Sequence, residues 1–157
     1  MEKNQFTLSL ALIDALPVLF FGAAAAMLGV KLQSALFIVG AALCLLAGAG
    51  KVAWKLLLAL RGKDVAILGA QLRYVMPAGF LLMMLGAFLA ERGTALSLLQ
   101  AAARMPSVFF FALTIVGLIA MVVCAKKFDR FDVRANWIEQ GINAAAQACA
   151  LIGVLLL

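Results

Sequence analysis

Between Leu8 and Val30 the chain reads LSLALIDALPVLFFGAAAAMLGV. This stretch decides the fold class. A run of roughly 20 mostly apolar residues is what an α-helix needs to cross the hydrocarbon core of a bilayer, and here Asp14 is the one charge in the run. The pattern returns four more times. Spans are expected at about 8–30, 34–56, 71–90, 106–125 and 137–157, the second staying apolar to Leu60 apart from Lys51 and Lys55. The expected fold is therefore all-α: a polytopic membrane bundle of about five helices in one domain, residues 1–157.

Composition agrees. Of the 157 residues, 67% are apolar and 13% charged, against about 45–50% and about 25% in soluble domains. Mean hydropathy is +1.14. A soluble fold of this size has too little interior to hide that much apolar surface. Histidine is absent, which excludes His-ligated haem, His-based zinc sites and His-dependent catalytic triads. Cys44, Cys124 and Cys149 form no CxxC pair and lie in or beside apolar runs, so inert thiols are expected rather than a disulfide or metal framework.

The net charge of +6 does not suggest nucleic acid, because the basic residues flank apolar segments and so set orientation. With the N-terminus inside, Lys3, Lys51, Lys55, Arg61, Lys63, Arg73, Lys126, Lys127, Arg130 and Arg134 fall on the inner side. Lys31, Arg92 and Arg104 fall outside. Ten against three of the 13 basic residues predicts an N-in, C-out chain, and the cytoplasmic membrane of a bacterium is the expected location. The first span is expected to stay as a helix rather than be cleaved, since its apolar run exceeds a signal-peptide core and carries Asp14.

The connections read as follows. Lys31, Leu32 and Gln33 make a tight turn. Arg61 to Asp64 make a second, with Asp64 a candidate N-cap for a longer third helix. Glu91 to Met105 is mildly amphipathic and suits a short interfacial helix. KKFDRFDVR, Lys126 to Arg134, joins the last two spans.

Function is sought in residues that cost free energy to insert. A charged side chain near mid-membrane costs about 2.5–3.5 kcal/mol on insertion scales. Asp14 is one such residue. Thr7, Ala11, Gly22, Ala25 and Gly29 lie on its face, and Pro17 kinks the helix beside it. Lys51 and Lys55, spaced i,i+4, share a face with Gly40, Cys44 and Gly48. On the last span Asn136, Glu139, Gln140, Asn143 and Gln147 fall within an arc of about 100°, opposite an apolar face. Helix packing alone can account for each of these groups, through interhelical hydrogen bonds or snorkelling.

Taken together they predict a mixed-charge pocket in the cytoplasmic half. Asp14, Lys51, Glu139, Asn143 and Gln147 are the candidate solute- or ion-binding residues, with Lys51 as the counter-charge, Lys55 a weaker rival and Arg73 an added cation. No catalytic residue, metal ligand or cofactor is assigned. The sequence has no GxGxxG, Walker A, HExxH or nucleophile-elbow motif.

The leading expectation is a small transporter or channel-like protein for a small ion or polar, slightly preferably anionic, solute. Its partners would be membrane lipid and either a second copy or a larger membrane complex, with no nucleic acid. The alternative is a non-transporting membrane subunit, a scaffold, assembly factor or lipid-headgroup binder, whose polar helix face meets a partner. An enzyme acting on a lipid is a third reading with less support. Gly40, Gly48, Gly79 and Gly86 are expected at close helix contacts, and Gly93 continues the heptad of Gly79 and Gly86.

Overall fold

The computed structural model describes residues 8–61, 65–127 and 133–157. Lys3, Thr7, Lys63, Asp64 and Arg130, invoked above, lie outside them. The described residues form seven helices and no strand: α1 Leu8–Lys31, α2 Ala35–Arg61, α3 Ala66–Ala70, α4 Leu72–Phe88, α5 Arg92–Ala102, α6 Ser107–Lys127 and α7 Val133–Leu155. The apolar runs become helices because a chain among apolar surroundings must satisfy its backbone donors and acceptors internally. Four helices (α1, α2, α6 and α7) are long and apolar enough to cross a membrane. The count is five if α4 and α5, bent by 107° at the break between them, form one span.

The third span differs most from expectation. It begins as the separate short helix α3, whose N-cap position is Val65 without a side-chain cap. Then α4 runs for only 17 residues, about 26 Å at 1.5 Å per residue. The amphipathic segment after it is a helix, α5, with no buried residue. Its Ala95 and Leu98 touch the core cluster of Ala25, Leu32, Phe37 and Ala41, so α5 lies under the α1–α2 turn.

That turn ends α1 in a left-handed residue, Gln33 (φ 51°). The Gln33 amide donates to Val30 O and the Ser34 amide to Gly29 O. This pair of reverse bonds satisfies the last carbonyls of a helix. Ser34 then starts α2. Its hydroxyl accepts from the Phe37 amide at 3.3 Å and donates to Gly86 O of α4 at 2.9 Å. One side chain both caps a helix and ties it to its neighbour.

Each helix packs on a few others: α2 on α4, α1 on α2 and α7, and α6 on α7. The order across the bundle is therefore α4–α2–α1–α7–α6. The α2–α4 contact is nearly backbone to backbone. A Cβ on Gly40 would lie 2.6 Å from Gly79 O, one on Gly79 2.6 Å from Cys44 Sγ, and one on Gly86 2.8 Å from Phe37 Cα. Gly48 meets Val18 of α1, and Gly117 of α6 meets Ala146 of α7. Small residues permit this approach, which dispersion then stabilises. Gly93 does not belong to the stripe: nothing lies within 4 Å of a Cβ there, because the bend after α4 turns it away.

The pairings also set direction. Gly86 sits at Phe37 and Gly79 at Cys44, so α4 runs antiparallel to α2. Phe111 near the start of α6 packs on Gly153 near the end of α7. The α1–α2 turn and α5 thus lie at one end of the bundle, and the start of α1 and the end of α2 at the other.

Candidate functional site

The glycine contacts close one half of the bundle, and the polar residues open the other. Between α1, α2, α4 and α7 lies a cleft of about 230 Å³. Its floor is Asp14, Pro17, Val18 and Phe21 of α1 with Cys44, Gly48 and Lys51 of α2. Leu72, Met76 and Phe80 of α4 form one wall, and Gln140, Asn143 and Gln147 of α7 form another. The first wall is apolar, at i, i+4 and i+8. The second is a stripe of primary amides at i, i+3 and i+7, positions that share one helix face.

Asp14 is 3% exposed and Lys55 5%, and the Lys55 ammonium pairs with Asp14 Oδ2. Expectation had Lys51 in that role. Helix geometry explains the difference. Measured from Gln33 in the turn, Asp14 and Lys51 stand at nearly equal depth, but a helical side chain leans toward its own N-terminus. In antiparallel α1 and α2 the two leans are opposed. Asp14 reaches away from the turn and Lys55 reaches toward it, so they meet, while Lys51 leans past Asp14 into the cleft. Burying such a pair is not in itself evidence of added stability, but removing one partner leaves an uncompensated charge.

Lys51 is partly exposed and lines the cleft. Among the described residues it has no ion-pair or hydrogen-bond partner. It stands about 15 Å of helix axis before Arg61, at 1.5 Å per residue. The amides of Gln140, Asn143 and Gln147 likewise make no hydrogen bond within the described residues. Gln140 is 3% exposed as a residue and borders the cleft.

Of the candidate residues, the structure brings Asp14, Lys51, Asn143 and Gln147 to one cleft. Glu139 is not in the lining. It sits at the edge of the polar arc, partly exposed, within electrostatic reach of Lys55. Arg73 is exposed and also outside the cleft, so it does not add a cation there.

Three features were not anticipated. Lys55 is the partner of Asp14. Gln140 is part of the cleft, though its place in the polar arc pointed to it. Leu72, Met76 and Phe80 form the apolar wall, and a single apolar stripe on an apolar helix carries no signal that separates a cleft wall from a packing face.

The outer surface is apolar. Along α6, Phe109, Ile115, Val116, Ile119 and Val122 are all exposed, and the helix meets the bundle mainly through α7. Water is a poor solvent for such a surface, and lipid a good one. No protein-family model matches the chain, and neither a curated protein nor a solved structure matches it.

Proposed function

We propose that the chain is a small membrane carrier whose cleft between α1, α2, α4 and α7 takes up a small polar or anionic solute from the cytoplasmic side, with the N-terminus inside and the C-terminus outside. The observation that carries this reading is the convergence on one cleft of Lys51 and three amides that have no partner among the described residues, within a bundle whose outside is apolar. Amide and ammonium groups that border a cleft without a partner among the described residues have donors and acceptors open to a solute or to water. A ligand or water supplies what the protein does not. The volume of about 230 Å³ lies below the roughly 300–1,000 Å³ of pockets for drug-sized ligands, which suits a small solute.

The orientation rests on the Lys/Arg asymmetry. Setting aside Lys51 and Lys55, which belong to the cleft and the ion pair, leaves eight basic residues against three on the proposed outer side. The homo-oligomer or larger complex expected from the sequence would form through α6, the least covered of the four helices long enough to span a membrane.

The test is flux in reconstituted liposomes. Under an imposed gradient, the parent should move at least one small organic or inorganic solute with saturable kinetics. Asn143→Leu should cut that flux tenfold or more while the protein stays folded. A parent that moves nothing from a panel of anions, cations and neutral polar solutes overturns the carrier reading in favour of the non-transporting subunit.

A further inference from the structure

We infer that the ligand of this cleft is a small amphipathic monoanion: one anionic group on Lys51, a hydrogen-bonding edge along Gln140, Asn143 and Gln147, and an apolar side against Leu72, Met76 and Phe80. The inference rests on the reading of the cleft as a binding site and names what it binds.

Charge comes first. Asp14 is the one carboxylate in the lining, and it is occupied. Its side chain is 2% exposed, and Oδ2 is paired with Lys55. It offers no open anionic site to a cation. Lys51 is partly exposed in the cleft and has no partner among the described residues. A lone ammonium within a membrane helix is costly, and an anion seated beside it restores the balance. Asp14, Lys55 and Lys51 together carry one net positive charge, which one negative charge neutralises. Glu139 acts on Lys55 from outside the lining and does not face the ligand. A dianion would need a second cation, and Arg73 is turned outward.

The walls set the rest. Each amide of α7 offers two N–H donors and one acceptor oxygen, and Gln140, 3% exposed, lines the cleft and makes no hydrogen bond among the described residues. A purely apolar ligand would leave these groups unpaired. A spherical inorganic anion would leave Leu72, Met76 and Phe80 facing water. A carboxylate on a compact apolar body satisfies both walls within about 230 Å³. Such a group can arrive as a free organic acid from water or at the polar end of an anionic lipid.

The test is binding by the purified full chain in phosphatidylcholine nanodiscs, followed by thermal unfolding and isothermal titration. Benzoate is the aqueous probe, benzamide its neutral counterpart, and chloride at matched ionic strength the inorganic control. Benzoate should bind saturably and raise the melting temperature, with benzamide and chloride at least tenfold weaker. Lys51→Gln should abolish the benzoate response, and Lys51→Arg should retain it. Asn143→Asp, which sets a carboxylate in the cleft that Lys51 lines, should weaken benzoate tenfold or more, and it serves as the test if Lys51→Gln does not fold.

If phosphatidylglycerol in the nanodisc competes with benzoate, the lipid is a source of the anion. If it does not, the source is the aqueous acid. Either result upholds the monoanion, since both depend on benzoate binding. Equal binding of benzamide, or no benzoate binding at millimolar concentration, overturns it. Because no flux is measured, benzoate binding by a protein that transports nothing keeps this inference and removes the carrier reading. Flux that ignores charge does the reverse.

Discussion

The two halves of α2 do opposite things on one face. From Phe37 to Gly48 the helix presents Gly40, Cys44 and Gly48, and its neighbours come within van der Waals contact of its backbone. From Lys51 to Lys55 the same face carries two ammonium groups. One is locked to Asp14, and the other borders a cleft. Small side chains draw helices together, most closely at Gly40, while Cys44 and Gly48 also form part of the cleft floor. Long polar ones hold them apart and must be answered by a charge, an amide or a solute. The bundle thus uses its dry half to fix the positions of α1, α2 and α4, and its polar half to leave space between them.

The ion pair is where this contrast should break most visibly. Lys55→Met, or Asp14→Leu alone, should lower stability by about 3–5 kcal/mol, the cost of leaving one buried charge unpaired. The double variant should recover most of that loss. Thermal unfolding in detergent reads both, and single variants that unfold like the parent would show that the pair is not buried.

The dry half comes next. Gly86→Leu drives a side chain into the Phe37 backbone and should cost about 1–3 kcal/mol or more. Gly93→Leu, open on all sides, should shift stability by less than about 0.5 kcal/mol. Equal effects at the two positions would remove the distinction. Ser34→Ala loses both a helix cap and the bond to Gly86 O, and a cost of about 0.5–2 kcal/mol is expected. An unchanged melting temperature would mean that water replaces the hydroxyl at no loss.

The smallest expected effect on stability belongs to the cleft. Gln140→Leu removes an amide that lines the cleft and makes no hydrogen bond among the described residues, so the protein should be about as stable as the parent. Solute binding should fall tenfold or more, the usual exchange between stability and function at a site. A marked loss of stability would show that Gln140 is structural.

Much of this was legible in one dimension. Apolar length marked α1, α2, α6 and α7, and glycine spacing marked Gly40, Gly48, Gly79 and Gly86 as places of close helix contact, though not which of them meet. The i, i+3, i+7 amides of α7 marked one wall of the cleft. What was not legible depends on how helices sit against each other. Lys51 and Lys55 share a face, so spacing could not choose between them. The choice came from opposed side-chain leans in antiparallel helices. No Pro announces the break at α3, since Pro77 lies inside α4; Glu91, Arg92, Gly93 and Thr94 mark the end of the third span, but nothing in their order gives the 107° bend. Glycine periodicity ran past the bend to Gly93, because a heptad in sequence persists where the helix does not.

The central claim is that the polar half of the bundle is a wet cleft rather than a dry helix contact. The most direct measurement is thiol labelling in lipid vesicles, with Cys44, Cys124 and Cys149 replaced by Ala and a single Cys introduced. A charged, membrane-impermeant reagent should modify Asn143→Cys from the cytoplasmic side and leave Ile152→Cys, on the outward apolar face of α7, unmodified. If Asn143→Cys stays unreactive from both sides while the protein is folded, the amide stripe is buried against another helix and the account is contradicted.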